Sequence, residues 1–378
     1  MKINRFMIAA PKSGSGKTMI TCALLQLLKD SGKNVLSYKC GPDYIDPMFH
    51  KKVLGVPSKN LDTFFTDEKT TVQLFLDKRA DGDFAVLEGV MGLYDGLGGI
   101  YEQGSSYHLA KVTQTPIILV VDAKGMGKSV LALIAGFLQY DTQHLIKGVL
   151  LNRMSKGYYD IIKPLIEKEL SVKVVGYFPE QKDIRLESRH LGLVMPDELS
   201  DIKKQLNETA DRLKKTIDMD LFMDIAAEAD EIGDSGSADV YNEKNIGNCD
   251  QNEFSQNKAI NTVNIAVAMD EAFCFYYEDN LRLLEKCGAK LQYFSPLHDT
   301  RLPKDCDAML LGGGYPELYA KELSKNVSML NAIKKAFRAG MPMVAECGGF
   351  MYLHTYIRNI CDDNDEKNNA DTRNNTDI

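Results

Sequence analysis

The segment Pro11-Lys12-Ser13-Gly14-Ser15-Gly16-Lys17-Thr18 constrains the fold of this chain more than any other. It follows a short apolar run at 6–10. It opens a stretch in which Ile20, Ala23, Leu24, Leu27 and Leu28 recur at helical spacing before Gly32. Strand, small-residue loop and helix in that order make an anion cradle, because glycines and serines let successive backbone N–H groups converge at a helix N-terminus. The pattern is a P-loop with Pro11 in place of the usual first glycine. Gly14, Ser15 and Gly16 would line the cradle, Lys17 would reach the β- and γ-phosphates of ATP, and Thr18 would ligate Mg²⁺. Lys12 stands where deviant P-loop ATPases carry a second lysine. The bland alternative is a turn with no ligand.

Short apolar runs alternate with helical segments along the rest of the chain, which predicts an α/β protein with a parallel sheet. Strands are expected at 34–38, Phe84–Glu88, Ile117–Asp122, 147–151 and 172–178. A single amphipathic helix is expected over 199–222, with Ile202, Leu206, Leu213, Ile217 and Leu221 on one stripe. Glu88 ends its strand, where open α/β sheets hold ligands, and could supply a second Mg²⁺ anchor. Two loops flank that edge: Lys39-Cys40-Gly41-Pro42-Asp43-Tyr44-Ile45-Asp46-Pro47, and Glu88-Gly89-Val90-Met91-Gly92-Leu93-Tyr94-Asp95-Gly96. Their carboxylates and tyrosines suit an active-site rim, and composition alone suits a solvated turn equally.

The formal charge of −8 is concentrated in two places. Residues 228–262 carry a net −6 and residues 360–378 a net −4, leaving +2 for the remainder. A basic footprint for nucleic acid is therefore absent. Both segments are rich in Asn, Ser or Asp and poor in large apolar residues, the composition of a linker and a tail. The longest apolar run, 130–138, is nine residues, against roughly 20 for a membrane span. Eight cysteines form no C-x-x-C pair, and the expectation is a reduced, cytoplasmic protein.

After 262 the alternation restarts, with strands expected at 263–269, 290–294, Ala308–Leu311 and 342–345, and helices at 277–287 and 329–339. Glu346-Cys347-Gly348-Gly349 reads as a sharp turn between strand and helix that exposes Cys347 as a nucleophile. Leu311-Gly312-Gly313-Gly314-Tyr315-Pro316-Glu317 supplies backbone donors, Gly313 and Gly314, for an oxyanion. Together they suggest an amidohydrolase of the Cys-His-Glu type. The one histidine after Cys347 is His354, seven residues on, and it reads as a helix-surface residue rather than the base.

These motifs resemble the cobyrinate a,c-diamide synthase family. The resemblance runs through 9–18, 39–47, Asn60-Leu61-Asp62, 88–96, 104–110, 148–153, 270–281, 311–318 and 346–353. It implies a P-loop, dethiobiotin-synthetase-like synthetase domain at 1–227, an acidic linker at 228–262, a flavodoxin-like class I glutamine amidotransferase domain at 263–359, incomplete, and a tail at 360–378. It implies amidation of a corrinoid polycarboxylate, with ATP and Mg²⁺, through acyl phosphates, using glutamine or ammonia. By resemblance Thr18, Glu88 and Asp43 or Asp46 hold the metal, and Asn152 reads the adenine. Asp43, Tyr44, Asp46, Asp95 and Arg189 face the substrate. In the family the glutaminase half continues past the elbow to a histidine and its carboxylate, so this chain is expected to be truncated or to have lost glutamine hydrolysis. Hydrogenobyrinate and nickel-sirohydrochlorin are alternative substrates. A regulatory P-loop ATPase and a non-catalytic scaffold are rival readings. No nucleic-acid or membrane partner is expected, and a homodimer is compatible with the sequence.

Overall fold

Strand β1 (Asn4–Ala9) alternates its side chains between two cores. Phe6 and Ile8 point to one face and Met7 and Ala9 to the other, as the period of two requires. A strand apolar on both faces must be covered on both, which places it inside a parallel sheet. The computed structural model describes residues 3–77, 84–181, 199–232 and 262–356. The chain divides into two compact units, residues 1–242 and 243–378.

In the first unit β1 pairs in parallel with β4 (Phe84–Glu88) and β5 (Ile117–Asp122). With β2 (Val35–Cys40), β3 (Ser58–Leu61), β6 (Ile146–Asn152) and β7 (Lys173–Phe178) they form a seven-stranded sheet in the order β3-β2-β4-β1-β5-β6-β7. Helix α1 (Lys17–Asp30) covers one face through Ile20, Leu24, Leu27 and Leu28. Leu109, Val130, Ile134, Ile162 and Ile166, from the helices between β4 and β7, cover the other.

The single helix expected over 199–222 is two helices, Leu199–Lys214 and Met219–Ala227. The break arises because the intervening residues dock on edge strand β7. Ile217 bridges to Gly176, and Asp218 N donates to Val175 O at 2.8 Å. A Cβ on Gly176 would lie 2.6 Å from Ile217 Cα, so the close approach requires glycine. Asp218 then caps the second helix by accepting from Leu221 N. Strand β2 runs two residues past its expected end at Tyr38 and carries Lys39 and Cys40 within it. The polar edge strand β3 was not legible as a strand.

Residues 228–232, expected to begin the linker, pack on the first unit, with Ala229 and Ile232 buried. The buried Arg5 guanidinium donates to the carbonyls of Ile3, Thr113, Gln114 and Asp230.

In the second unit β8 (Val263–Ala268), β10 (Ala289–Phe294), β11 (Ala308–Leu311) and β13 (Met343–Ala345) form a parallel sheet in the order β10-β8-β11-β13. Counted within the unit this is 2-1-3-4, the flavodoxin-like winding. Two short strands, β9 (Phe273–Phe275) and β12 (Gly313–Gly314), pair antiparallel beside it. Its core joins Ala266, Phe273, Met309, Leu311, Met329, Ile333 and Tyr352. Among the described residues, no helix is long and apolar enough to cross a membrane.

Candidate active sites

The P-loop occupies the C-terminal edge of β1, between β4 and β5. Gly16 precedes α1 at φ 91°, a conformation costly for any residue with a Cβ. A Cβ there would also sit 2.4 Å from Asn152 Nδ2. Asn152, at the end of β6, donates to Ser15 O at 2.8 Å, so the loop is buttressed from across the sheet. Arg153 adds a second strut. It pairs with Asp122 at the end of β5 and donates to Gly14 O at 3.3 Å. The Lys12 side chain is exposed, while its carbonyl accepts from Ser15 Oγ.

Lys17 is nearly buried, and its Nζ donates to Met91 O at 2.5 Å. Burial, with the neighbouring Lys39, pushes its ammonium down to about 8 against the pull of Glu88, Asp95 and Asp46. Thr18 Oγ1 lies 2.7 Å from Glu88 Oε1 and 3.5 Å from Asp46 Oδ2. The Lys39 ammonium sits on the same two carboxylates, at 2.9 Å from Glu88 and 2.5 Å from Asp46. Burial alone would discharge Lys39, but Glu88 and Asp46 more than offset it and hold it charged. Burial pushes the Glu88 carboxyl up to about 7, with Lys39 drawing it back. Desolvation raises Asp46 also, but Lys39 outweighs it and the net direction is down.

An ammonium between two carboxylates marks a place shaped for positive charge. The donors are hard oxygens, Thr18 Oγ1, Glu88 and Asp46, which suit Mg²⁺. Among the described residues no three His, Cys, Asp or Glu side chains are grouped to hold a metal by themselves. Asp43 stands further back. Its Oδ1 accepts from Ile45 N and Asp46 N, and its Oδ2 is 3.9 Å from Lys39.

The Asp43–Asp46 segment is therefore no free turn, since it enters a helix, Ile45–Phe49, with Tyr44 at its N-cap. Asp95 folds back to accept from Gly92 N at 3.0 Å on the loop that carries Met91. Arg189 lies outside the described residues. Sequence reasoning passed over Lys39, Arg153 and His50. Lys39 falls in the loop expected after Tyr38; it is the extension of β2 through Cys40 that buries it, and there a lysine needs carboxylate partners. His50 is fully buried, its Nδ1 2.9 Å from Ser37 Oγ and its Nε2 3.7 Å from Glu88 Oε2. Burial pushes it down to about 4, so the imidazole is neutral.

In the second unit Cys347 stands exposed at the bend between β13 and the helix Gly348–Tyr352, with φ 48° and ψ −111°. A strained non-glycine residue at this point presents its side chain at the head of a helix. A Cβ on Gly313 would lie 3.5 Å from Cys347 Cβ, so the glycine run and the thiol are neighbours. A Cβ on Gly314 would strike Ala272 O at 1.9 Å. Gly312 N is already engaged by Tyr276 Oη at 2.7 Å, and that hydroxyl donates to Ala268 O. Of the glycine run, Gly313 thus lies beside Cys347 and Gly314 beside Gly348. Among the described residues, no imidazole is hydrogen-bonded to Cys347. His354 Nδ1 contacts Phe350 O, and His298 pairs with Glu271 beyond β10. Strand β10 is three places from β13, roughly 14 Å at the usual strand spacing.

Residues 6–194 match the CobQ/CobB/MinD/ParA nucleotide binding domain, and residues 264–374 match the CobB/CobQ-like glutamine amidotransferase domain. The chain is 40% identical over 353 residues to a cobyrinate a,c-diamide synthase of Clostridium tetani, covering 93% of this chain and 75% of that protein. It is 40% identical over 356 residues to its counterpart in Caldanaerobacter subterraneus, over 94% and 74% of the two chains. A counterpart from Thermoplasma volcanium is also 40% identical, over 93% and 73%. The resemblance thus extends across both units, and the chain belongs to the cobyrinate a,c-diamide synthase family.

Proposed function

We propose that the chain amidates the a and c carboxylates of cobyrinate in an ATP-dependent reaction, with nitrogen from glutamine or free ammonia. One observation carries the reading: Lys17, Lys39, Thr18, Glu88 and Asp46 converge at the strand edge beside the phosphate cradle. The name of the relatives supplies the substrate. The synthetase activity is assigned to residues 1–227 and the amidotransferase to 263–359.

A carboxylate oxygen of the substrate attacks the γ-phosphorus of ATP. The bond from that phosphorus to the β–γ bridging oxygen breaks, ADP leaves, and an acyl phosphate remains. Ammonia then attacks the acyl carbon, the carbon–oxygen bond to phosphate breaks, and the nitrogen loses a proton as phosphate departs. Lys17, with Lys12 at the loop, offsets the charge gathering on the transferred phosphoryl oxygens. Lys39 fixes the two acidic side chains and stands ready for the same charge. Thr18, Glu88 and Asp46, with Asp43 behind them, would hold Mg²⁺, which when bound neutralises β- and γ-phosphate oxygens. Asn152 holds Ser15 with one amide hydrogen and offers the other to the adenine. Asp43, Tyr44, Asp95 and Arg189 are assigned to the substrate side.

The Cys347 thiolate attacks the carboxamide carbon of glutamine, and Gly313 and Gly314 stabilise the oxyanion. The carbon–nitrogen bond then breaks as the nitrogen takes a proton from water and leaves as ammonia, and water cleaves the carbon–sulfur bond of the resulting thioester to release glutamate. The six described cysteines are free, which suits a reducing cytoplasm.

The test supplies cobyrinate carrying heavy oxygen in its carboxylates, with ATP, Mg²⁺ and either nitrogen source. Diamide formation with the label recovered in inorganic phosphate is expected. ATP hydrolysis unaccompanied by amide, or amide without label transfer, overturns the reading. Hydrogenobyrinate and nickel-sirohydrochlorin run in parallel identify the preferred macrocycle.

A further inference from the structure

Behind Glu88 two polar atoms face each other without a hydrogen-bond partner. Glu88 Oε2 and His50 Nε2 are both buried and unpaired, 3.7 Å apart. Buried polar atoms are rarely left so, and here one is an acceptor and the other can be a donor. His50 continues the helix that carries Asp46, four residues on, so both project from one side of the turn. The segment His50–Leu54 is a π-helix, a geometry that recurs at functional sites. On its other edge the imidazole meets two serines. Nδ1 lies 2.9 Å from Ser37 Oγ and 3.4 Å from Ser58 Oγ, and those residues are register partners on β2 and β3. A serine hydroxyl that donates to Nδ1 leaves the ring hydrogen on Nε2, aimed at Glu88.

We infer that His50 is a positioning residue for Glu88. The serine pair fixes the imidazole tautomer. Nε2–H then holds Glu88 Oε2, and Oε1 stays turned toward Thr18, Lys39 and the phosphate end of the nucleotide. With a divalent cation held at Oε1, the His50 Nε2–H would support Glu88 from behind through Oε2. Outer partners of this kind are worth about 10- to 100-fold in metal affinity.

The inference rests on the reading of Glu88 as a cation ligand, so the test separates the two. Mn²⁺ is titrated into the full chain with a non-hydrolysable ATP analogue, and free Mn²⁺ is read by electron paramagnetic resonance. His50→Asn, whose amide falls near the Nδ1 position, is expected to weaken Mn²⁺ binding about tenfold or more. His50→Gln, whose amide falls near Nε2, is expected to restore most of it. Ser37→Ala, a smaller change that frees the tautomer, should weaken binding by a lesser factor and secures the answer where a His50 variant melts. Wild-type affinity in His50→Asn or in Ser37→Ala overturns the role, as does equal weakening by Asn and Gln. Glu88→Gln is titrated alongside. Unchanged affinity there sinks the cation-ligand reading itself, whereas weakening by Glu88→Gln without weakening by His50→Asn sinks only the role of His50.

Discussion

The Thr18 hydroxyl and the Glu88 carboxylate meet at 2.7 Å from positions seventy residues apart. The contact ties the first turn of α1 to the end of β4, because β1 and β4 are register neighbours whose C-terminal ends share one edge. Replacing Glu88 by Gln keeps the shape and removes the charge. ADP release in the presence of cobyrinate is expected to fall by about 10²- to 10³-fold, the usual cost of losing one preorganised electrostatic group. Steady-state coupled assays at saturating ATP check it, and a loss below about threefold would remove Glu88 from the chemistry.

Lys39 gives the second prediction. Its ammonium is buried between Glu88 and Asp46. Lys39→Met leaves two buried carboxylates without their counter-charge and should destabilise the first unit by about 3–5 kcal/mol. The double variant Lys39→Met/Glu88→Gln should recover part of that loss, because it removes one orphaned charge. Denaturant unfolding of the four proteins measures the coupling directly.

The third concerns Gly16 and Asn152. Gly16→Ala places a Cβ at φ 91° and 2.4 Å from Asn152 Nδ2, so the loop cannot keep its shape and ATP binding should be lost. Asn152→Ala leaves Ser15 O without its donor, at about 1–2 kcal/mol, and should weaken ATP binding about tenfold. Calorimetric titration with ATP distinguishes the two, and equal effects would deny the buttress.

Thiol chemistry supplies a pH-dependent prediction. Burial pushes Cys40 up from 9.0 to about 12, and Cys22 is likewise raised. An acid whose pKa is raised keeps its proton to higher pH, so at pH 9 Cys40 is thiolate in only about a thousandth of molecules. Iodoacetamide should therefore label the exposed Cys347 and Cys287 and leave Cys22 and Cys40 unmodified in the native protein up to pH 9. Peptide mass mapping reads this, and early labelling of Cys40 would contradict its burial.

The sequence by itself determined the elements that local chemistry dictates. Gly-Lys-Thr after an apolar run requires a phosphate loop, alternating apolar runs require a parallel sheet, and glycines around Cys347 require a sharp bend. These follow from backbone freedom and side-chain period, which act over a few residues. The tertiary structure alone decided which distant groups meet. Lys39 was visible only as the first residue of a loop, and its two carboxylate partners are supplied by a helix turn and a neighbouring strand. Asp46 rather than Asp43 stands beside Thr18, because Asp43 is engaged in capping the turn that carries Asp46. The break at Lys215–Asp218 likewise reflects docking on β7 rather than any local signal to stop a helix. Strand order sets such meetings, and strand order is an energy of packing between segments far apart in the chain.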